Sequence, residues 1–296
     1  DGVLIWDNTI FNMDIVPAKK TELRPLLALE HSLIPISGKV SIIGDSISTY
    51  AGTMPSGYVT YYPQESLGVT SLYQMWWNLI LSATDSLLDT NASWSGSCST
   101  NRRAGDSIPD FYDRTNLIGT PDQIFVELGS NDSGYNVSLG DYDYDTPYTD
   151  LSESEFIPSY IKGVSALLNN YPSAKIILFI FKMKDAYAQA IRNIGKHFGL
   201  DVIDVRSYVV NNNEHPNKKG MTIVAQNVFS FFIKGKVDEV PTTGSRNLVE
   251  SGGVKAYVKP FVEDLNNIEN LIGFNGEIIK GKRINGSGVL YDDVNY

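Results

Sequence analysis

The sequence predicts an α/β fold: a doubly wound parallel sheet with helices on both faces, followed by a linker and a short helical coiled-coil segment. Four short segments are apolar and rich in β-branched residues without polar alternation, which is typical of strands buried on both faces. Stretches of helical length separate these segments, as in strand–helix–strand units. In sheets of this kind, ligands bind beyond the carboxyl ends of the strands.

The predicted strands and helices alternate between residues 38 and 235, in the manner of a flavodoxin-like domain. The strand segments are KVSIIG, QIFVEL, AKIILFIF and LDVIDV, which start at Lys39, Gln123, Ala174 and Leu200. The predicted helices cover residues 72–88, 155–169, 185–198 and 220–232. The first two strands run directly into polar motifs, Gly44-Asp45-Ser46 and Gly129-Ser130-Asn131-Asp132. We therefore expect both motifs at one edge of the sheet.

The composition changes on either side of this domain. Residues 1–37 are interpreted as an irregular lead-in, and residues 236–253 as a linker rich in Gly, Ser and Thr. In residues 254–272, apolar residues recur four and three apart, which predicts a coiled coil and a homotrimer. The alternative for that segment is a helix packed on the α/β domain. Residues 273–296 are predicted to form short strands with glycine turns.

Charge and composition restrict the partners of the chain. A formal net charge of -10 and a pI near 4.8 argue against nucleic acid and anionic membranes as partners. No run approaches the ~20 apolar residues that cross a bilayer, so we expect no membrane insertion. A single cysteine, Cys98, excludes an internal disulfide and a cysteine-based zinc site. Asp141, Asp143 and Asp145 alternate as in a calcium loop, but Thr146 replaces the required glycine, and we expect no metal there.

Ser46 is the candidate for covalent chemistry, because it follows a buried strand in a tight turn that would expose its hydroxyl. A serine nucleophile needs a base and hydrogen-bond donors for the oxyanion. The three histidines are His31, His197 and His215, and His215 stands in a polar loop that leads into an apolar helix. A solvated surface histidine is the alternative interpretation.

The order of four motifs resembles that of the SGNH (GDSL-like) hydrolases. These enzymes carry Gly-Asp-Ser, a Gly, Gly-x-Asn-Asp and Asp-x-x-His-Pro, and this chain has Gly44-Asp45-Ser46, Gly96, Gly129-Ser130-Asn131-Asp132 and His215-Pro216. The resemblance implies a serine esterase without metal or organic cofactor, in which Ser46 is the nucleophile and His215 the base. It also implies an oxyanion hole formed by the backbone N–H groups of Ser46 and Gly96 and the side-chain amide of Asn131.

One position departs from the family pattern. The family places Asp three residues before the histidine, and this chain has Asn212 there. In serine proteases, the corresponding change from Asp to Asn costs about 10⁴ in kcat. Asn212 is thus a candidate for the residue that orients His215. The alternatives for this role are a backbone carbonyl, which would leave a Ser-His dyad, and Glu214. A further outcome is a protein that is slow, or inactive and used only for binding.

The residues near these motifs indicate the substrate. Tyr58, Tyr61 and Trp94 flank the first two motifs and are predicted to bind substrate, together with Asp45 and Asp132. We expect an acylated carbohydrate, from which the enzyme removes acetyl or similar small acyl groups. A lipid esterase or thioesterase is less supported, since no amphipathic lid flanks the motifs.

The linker carries a second, looser resemblance. The segment PTTGSRNLVESGGV is similar to linkers in tail-fibre and surface proteins of gut Bacteroidetes and their phages. It implies an extracellular, cell-surface or virion-associated protein. The second functional hypothesis is therefore a glycan- or receptor-binding module of a phage tail or surface appendage, built on an SGNH scaffold with weakened catalysis, and Asn212 favours it.

Overall fold

The computed structural model describes residues 35–208 and 215–233, together with the backbones of four short strands further along the chain. The lead-in up to residue 34, Asn212 and Glu214 lie outside the described residues. So do His31 and the heptad segment, 254–272, with the homotrimer that it predicts.

The α/β domain is built on five parallel strands in the order β2-β1-β3-β4-β5. The strands are β1 (Lys39–Gly44), β2 (Leu87–Asn91), β3 (Gln123–Glu127), β4 (Lys175–Ile180) and β5 (Asp201–Asp204). The chain moves from β1 to one neighbour, β2, and then crosses to the other side of β1 to form β3. This is the flavodoxin-like order, and it confirms the predicted fold class.

The helices lie around the sheet, and short 3-10 turns join several elements. The α-helices are α1 (Trp76–Ala83), α2 (Phe111–Arg114), α3 (Ser130–Gly134), α4 (Phe156–Asn170), α5 (Asp185–Phe198) and α6 (Lys218–Ile233). The 3-10 turns are Glu65–Leu67, Leu72–Gln74, Asn101–Asp106, Tyr148–Asp150 and Arg206–Tyr208. Within the described residues, no helix is long and apolar enough to span a membrane.

A second compact unit comprises residues 1–35, 82–84 and 228–296. Beyond residue 233, its described part consists of the short strands β6 (Val237–Asp238), β7 (Leu248–Val249), β8 (Lys282–Ile284) and β9 (Leu290–Asp292). The first two pair in parallel, and the last two pair antiparallel.

Burial explains why the three central strands could be predicted, whereas β2 was missed because it follows shortly after a helix. All five residues of β3 are buried, and so are all but the first of β1 and of β4. β2 lies at the edge of the sheet, and Leu87 is exposed. The predicted helix over 72–88 is therefore wrong at its end: α1 ends at Ala83, Asp85 has a positive φ of 52° that ends the helical path, and β2 follows.

Both faces of the sheet are covered, as predicted. On one face, alternate residues of β3 and β4, such as Ile124 and Leu178, join a core with apolar residues of α4 and α5. On the other face, the Trp76 ring at the start of α1 lies 6.1 Å from Phe125 and 4.9 Å from Phe179 between centroids. Since successive side chains of a strand point to opposite faces, the all-apolar strands feed two cores.

A buried polar cluster lies beneath the carboxyl ends of β1 and β3. The fully buried Arg114 donates from Nη1 to the carbonyl oxygens of Gly44 (2.7 Å) and Ala92 (3.1 Å). The Glu127 carboxylate accepts from the backbone N–H of Asp45 (3.1 Å) and from the Ser48 hydroxyl (2.7 Å). The cluster therefore ties together β1, β3 and the segment after β2.

Burial raises the pKa of both carboxyl groups in this cluster. The pKa of Asp45 rises to about 7, first because of desolvation, although its bond from the Ile47 N–H and the charge of Arg114 oppose the rise. The pKa of Glu127 lies well above its usual value for the same reason, and the negative charge of Asp45 adds to the effect. Two neighbouring buried carboxyls beside one arginine therefore retain a proton near neutral pH.

We expect Glu127→Gln to reduce the loss of stability at high pH. A carboxyl whose pKa is raised by folding keeps its proton after the unfolded chain has released it, so stability falls as pH rises from about 4 towards 7 and above. Glutamine keeps an acceptor oxygen and removes one buried charge. Urea unfolding at pH 5 and pH 8 should show a smaller decline in unfolding free energy for the variant than for the wild type. An identical decline in both proteins would contradict this account.

We also expect Gly163→Ala to destabilise the protein despite the better helix propensity of alanine. A Cβ at Gly163 in α4 would lie 2.3 Å from Cδ1 of the fully buried Phe111, so the ring would have to shift within the core. Overpacking of this kind typically costs about 1–3 kcal/mol of unfolding free energy, measurable by urea denaturation. The matched control is Gly134→Ala, where a Cβ would meet nothing within 4 Å. A Gly163→Ala variant as stable as that control would refute the steric argument.

Candidate active site

Ser46 lies in the turn that follows β1. The turn is closed by a hydrogen bond from the Ser48 N–H to the Asp45 carbonyl (3.2 Å), and the Thr49 hydroxyl donates to the Ser46 carbonyl (2.9 Å). Asp45 stabilises the same turn, because its Oδ1 accepts from the Ile47 N–H at 2.9 Å. The side chain of Ser46 is held at the strand end, and 7% of the residue's surface is accessible.

His215 is the histidine that meets Ser46. Its Nε2 lies 2.7 Å from the Ser46 Oγ, although the two residues are 169 positions apart in the chain. Two residues after it, Asn217 caps α6, because its Oδ1 accepts from the Gly220 N–H at 2.8 Å. The end of a parallel strand and the start of a helix thus place a hydroxyl and an imidazole within hydrogen-bond distance, as nucleophilic catalysis requires.

Two tyrosines contact the segment that carries His215. The Tyr61 ring stacks on the imidazole with centroids 3.8 Å apart and an interplanar angle of 11°. The hydroxyl of the buried Tyr62 donates to the carbonyl of Pro216 at 2.7 Å. Tyr61 is thus a neighbour of the imidazole, and the face that it turns to His215 is closed to a sugar ring.

Gly96 and Asn131 lie on two loops that converge beside the turn of Ser46. The N–H of Trp94 and the hydroxyl of Ser97 both donate to the Gly44 carbonyl, at 3.1 and 3.2 Å, which holds the loop of Gly96 against the end of β1. Gly96 has a positive φ of 81°, a conformation that favours glycine. This backbone requirement gives the predicted Gly96 a structural reason of its own.

The Asn131 amide makes two hydrogen bonds within the site. Its Nδ2 donates to the Ser97 carbonyl at 2.8 Å and to the Asp45 Oδ2 at 3.3 Å. The first bond joins α3 to the loop of Gly96, and the second joins it to the residue before Ser46. The amide nitrogen is therefore fixed between the two other parts of the predicted oxyanion hole.

The two aspartates that were predicted to bind substrate are buried in the protein. Asp132 is fully buried and accepts from the backbone N–H groups of Ser99 (2.8 Å) and Thr100 (3.1 Å), with a third bond from the Thr100 hydroxyl. Asp45 is also buried and is engaged by Ile47 and Asn131. Because their oxygens are enclosed by the protein, both carboxyls support the site loops and do not form a surface that a substrate could reach.

Tyr58 and Trp94 form an aromatic pair next to the loop of Gly96. Their ring centroids lie 4.2 Å apart at an interplanar angle of 41°. A backbone hydrogen bond from the Ser95 N–H to the Val59 carbonyl, 2.9 Å long, joins their two segments. Both residues are partly exposed, so the pair offers ring surface at the rim of the site.

Several residues of the site were not predicted from the sequence. Arg103 donates from Nη1 to the Tyr135 hydroxyl at 2.6 Å, and the same nitrogen would lie 3.4 Å from a Cβ at Gly96. Tyr135 follows directly after α3, the helix that carries Asn131. Two consecutive arginines, Arg102 and Arg103, in an acidic chain could have indicated this part of the site. For Arg114 and Glu127, the sequence offers no local signal.

The other described histidine and the acidic residues considered in the sequence analysis make contacts of their own. His197 is exposed and stacks on Tyr144 with centroids 3.6 Å apart. Asp143 accepts from the backbone N–H groups of Asp145 and Thr146, and these bonds lower its pKa. In the part of the chain that the structure describes, no group of three or more His, Cys, Asp or Glu side chains could hold a metal ion.

Known proteins are similar to this chain in sequence and in fold. The family model for GDSL-like lipase/acylhydrolase matches residues 38–232. A protein from Bacteroides ovatus described as a GDSL-like lipase superposes with a TM-score of 0.62 and 28% identity, over 67% of this chain and 99% of that chain. A similarly described protein from Bacteroides uniformis gives 0.60 and 28%, over 66% and 95%.

Among the curated proteins, none matches this chain in sequence. The family model nevertheless covers well over half of the 296 residues and spans all four motifs and the five-stranded sheet. The chain belongs to the GDSL-like lipase/acylhydrolase family and has the α/β fold of these hydrolases.

Proposed function

We propose that the protein is a serine esterase that removes acetyl or similar small acyl groups from a carbohydrate. The observation that carries this proposal is the 2.7 Å contact between the Ser46 Oγ and the His215 Nε2 at the carboxyl edge of the sheet. Membership of a hydrolase family supports the reaction class. The substrate class is inferred from the surroundings of the pair.

The reaction divides into two halves. In the first, His215 Nε2 takes the proton of Ser46 while Oγ bonds to the acyl carbon; the resulting tetrahedral oxyanion collapses, the bond to the sugar oxygen breaks, and His215 returns the proton to that oxygen. In the second, a water molecule attacks the acyl-enzyme with His215 as its base. The acid is released, and the proton returns to Ser46.

The oxyanion would be held by the Asn131 amide and by the backbone N–H groups of Ser46 and Gly96. The Ser97 bond fixes the amide, while its bond to Asp45 is 3.3 Å long, at the weak end of the hydrogen-bond range. We infer that a developing oxyanion replaces Asp45 as the acceptor. Such donors are effective because they are positioned before the charge develops.

The aromatic pair at the rim supports a carbohydrate as substrate. Partly exposed rings such as Tyr58 and Trp94 can stack on the apolar face of a sugar, and they lie beside the loop of Gly96. Arg103 lies next to Gly96 and donates to the Tyr135 hydroxyl. These two polar side chains suit the hydroxyl groups of a sugar better than an acyl chain. A small acyl group fits a site whose nucleophile is largely buried.

We expect Ser46→Ala to lower kcat for 4-nitrophenyl acetate and for acetylated xylan oligosaccharides by at least about 10³-fold, because the covalent step is lost. Release of nitrophenol and of acetate measures the two reactions. Ser56→Ala, at an exposed serine outside the motifs, is the control and should retain wild-type rates. Hydrolysis by Ser46→Ala at the wild-type rate would exclude the proposed mechanism.

We expect Asn131→Ala to lower kcat for the same esters by about 10²–10³-fold with little change in KM, because the lost donor acts chiefly on the transition state. The amide also holds the Ser97 carbonyl, so thermal unfolding must be compared as well. A variant that keeps its melting temperature and its kcat would remove Asn131 from the oxyanion hole.

A binding module without efficient catalysis is the second candidate function. It is favoured by Asn212 at the family's aspartate position and by the Asn131 amide, which is already engaged by Asp45 and Ser97. The test measures equilibrium binding and hydrolysis of acetylated oligosaccharides by the wild type and Ser46→Ala. Equal binding by both proteins, with hydrolysis at the background rate in both, would favour this function over the esterase.

A further inference from the structure

Tyr61 and Tyr62 contact both the segment that carries Ser46 and the segment that carries His215. We propose that this pair, here called the tyrosine clasp, positions the His215 imidazole relative to Ser46, with Tyr61 as the positioning residue for the ring. The inference rests on the proposed function, since it concerns the base of that reaction. It assigns to Tyr61 a role other than stacking on a sugar.

On one side, the clasp is bonded to the chain that leaves Ser46. The Tyr61 N–H donates to the Thr49 Oγ1 at 2.8 Å, and that same hydroxyl donates to the Ser46 carbonyl at 2.9 Å. The Ala51 N–H donates to the Tyr62 carbonyl at 2.9 Å. The backbone of the clasp is therefore fixed to the turn of the nucleophile through two short paths.

On the other side, the clasp holds the segment of the base at two points. The Tyr61 ring lies almost parallel to the imidazole, with centroids 3.8 Å apart, and this contact restricts the plane of the ring. The buried Tyr62 hydroxyl holds the Pro216 carbonyl at 2.7 Å and thereby restricts the backbone next to His215. The plane of the imidazole and the backbone next to His215 are therefore restrained separately, by two adjacent residues.

The two constraints supply what a general base needs. His215 must keep Nε2 directed at the Ser46 Oγ, and its charged form arises in the transition state. A stacked ring limits rotation of the imidazole out of its plane, and the face of an aromatic ring attracts a cation. The residue that usually supplies both effects, an aspartate, is replaced by Asn212 in this sequence.

The test compares Tyr61→Phe, which keeps the stacked ring, with Tyr61→Leu, which removes it. It adds Tyr62→Phe, which removes the bond to Pro216 and keeps the aromatic ring. Tyr73→Leu, at an exposed tyrosine, is the matched control. Three quantities are measured: kcat and KM for 4-nitrophenyl acetate, and the rate at which a small fluorophosphonate labels Ser46. Thermal unfolding establishes that each variant is folded.

We expect Tyr61→Leu to lower kcat and the labelling rate by a common factor of roughly 10, with KM within about twofold of the wild type, because activation of the hydroxyl is impaired in both reactions. Tyr61→Phe and Tyr73→Leu should remain near wild-type rates, and Tyr62→Phe should fall between these variants and Tyr61→Leu.

A folded Tyr61→Leu variant with wild-type kcat and labelling rate would overturn the inference. So would a rise in KM with kcat unchanged, since that result makes Tyr61 a substrate-stacking residue. Failure of the proposed function itself has a different signature: wild type and Ser46→Ala would then hydrolyse the ester equally, and neither would be labelled at residue 46.

Discussion

The buried cluster of Arg114, Asp45 and Glu127 is the constraint on which the rest of the site depends. Arg114 holds the carbonyls of Gly44 and Ala92, and Glu127 holds the Asp45 backbone and the Ser48 hydroxyl. A buried charge is tolerated only where it is paired and hydrogen-bonded, so loosening one of these contacts leaves an uncompensated charge elsewhere in the cluster. The ends of β1 and β3 are therefore fixed relative to each other by the fold, before any substrate binds.

The proposed oxyanion hole and the proposed base are held by two separate sets of contacts. Asp45 extends the cluster to Asn131, and Ser97 joins Asn131 to the loop of Gly96. The tyrosine clasp lies on the side of His215 and begins from Thr49, three residues after Ser46. Every contact in these two networks is internal to the protein, which is the condition for donors and base to act without reorganising during the reaction.

The sequence predicts the fold and the motifs well, because uninterrupted apolar strands and the residues at their ends leave local patterns. It misses β2, an edge strand with a partly exposed pattern that reads as the continuation of a helix. It places Asp45 and Asp132 against the substrate, whereas each carboxyl is buried and accepts from backbone N–H groups. The contact of Tyr62 with Pro216 joins residues 154 positions apart, a separation that no local pattern encodes.

The leaving group decides how much the orientation of His215 matters. Nitrophenolate departs without a proton, so hydrolysis of its ester uses the imidazole as a base in both half-reactions but needs no proton from it for the leaving group. The oxygen of a sugar is a far poorer leaving group and must receive the proton that His215 has taken from Ser46. An imidazole that turns in its site would lose this second transfer first. The clasp that holds the ring is therefore of greater consequence for a carbohydrate ester than for an activated one, and deacylation of a sugar is the reaction for which such a restraint has most value.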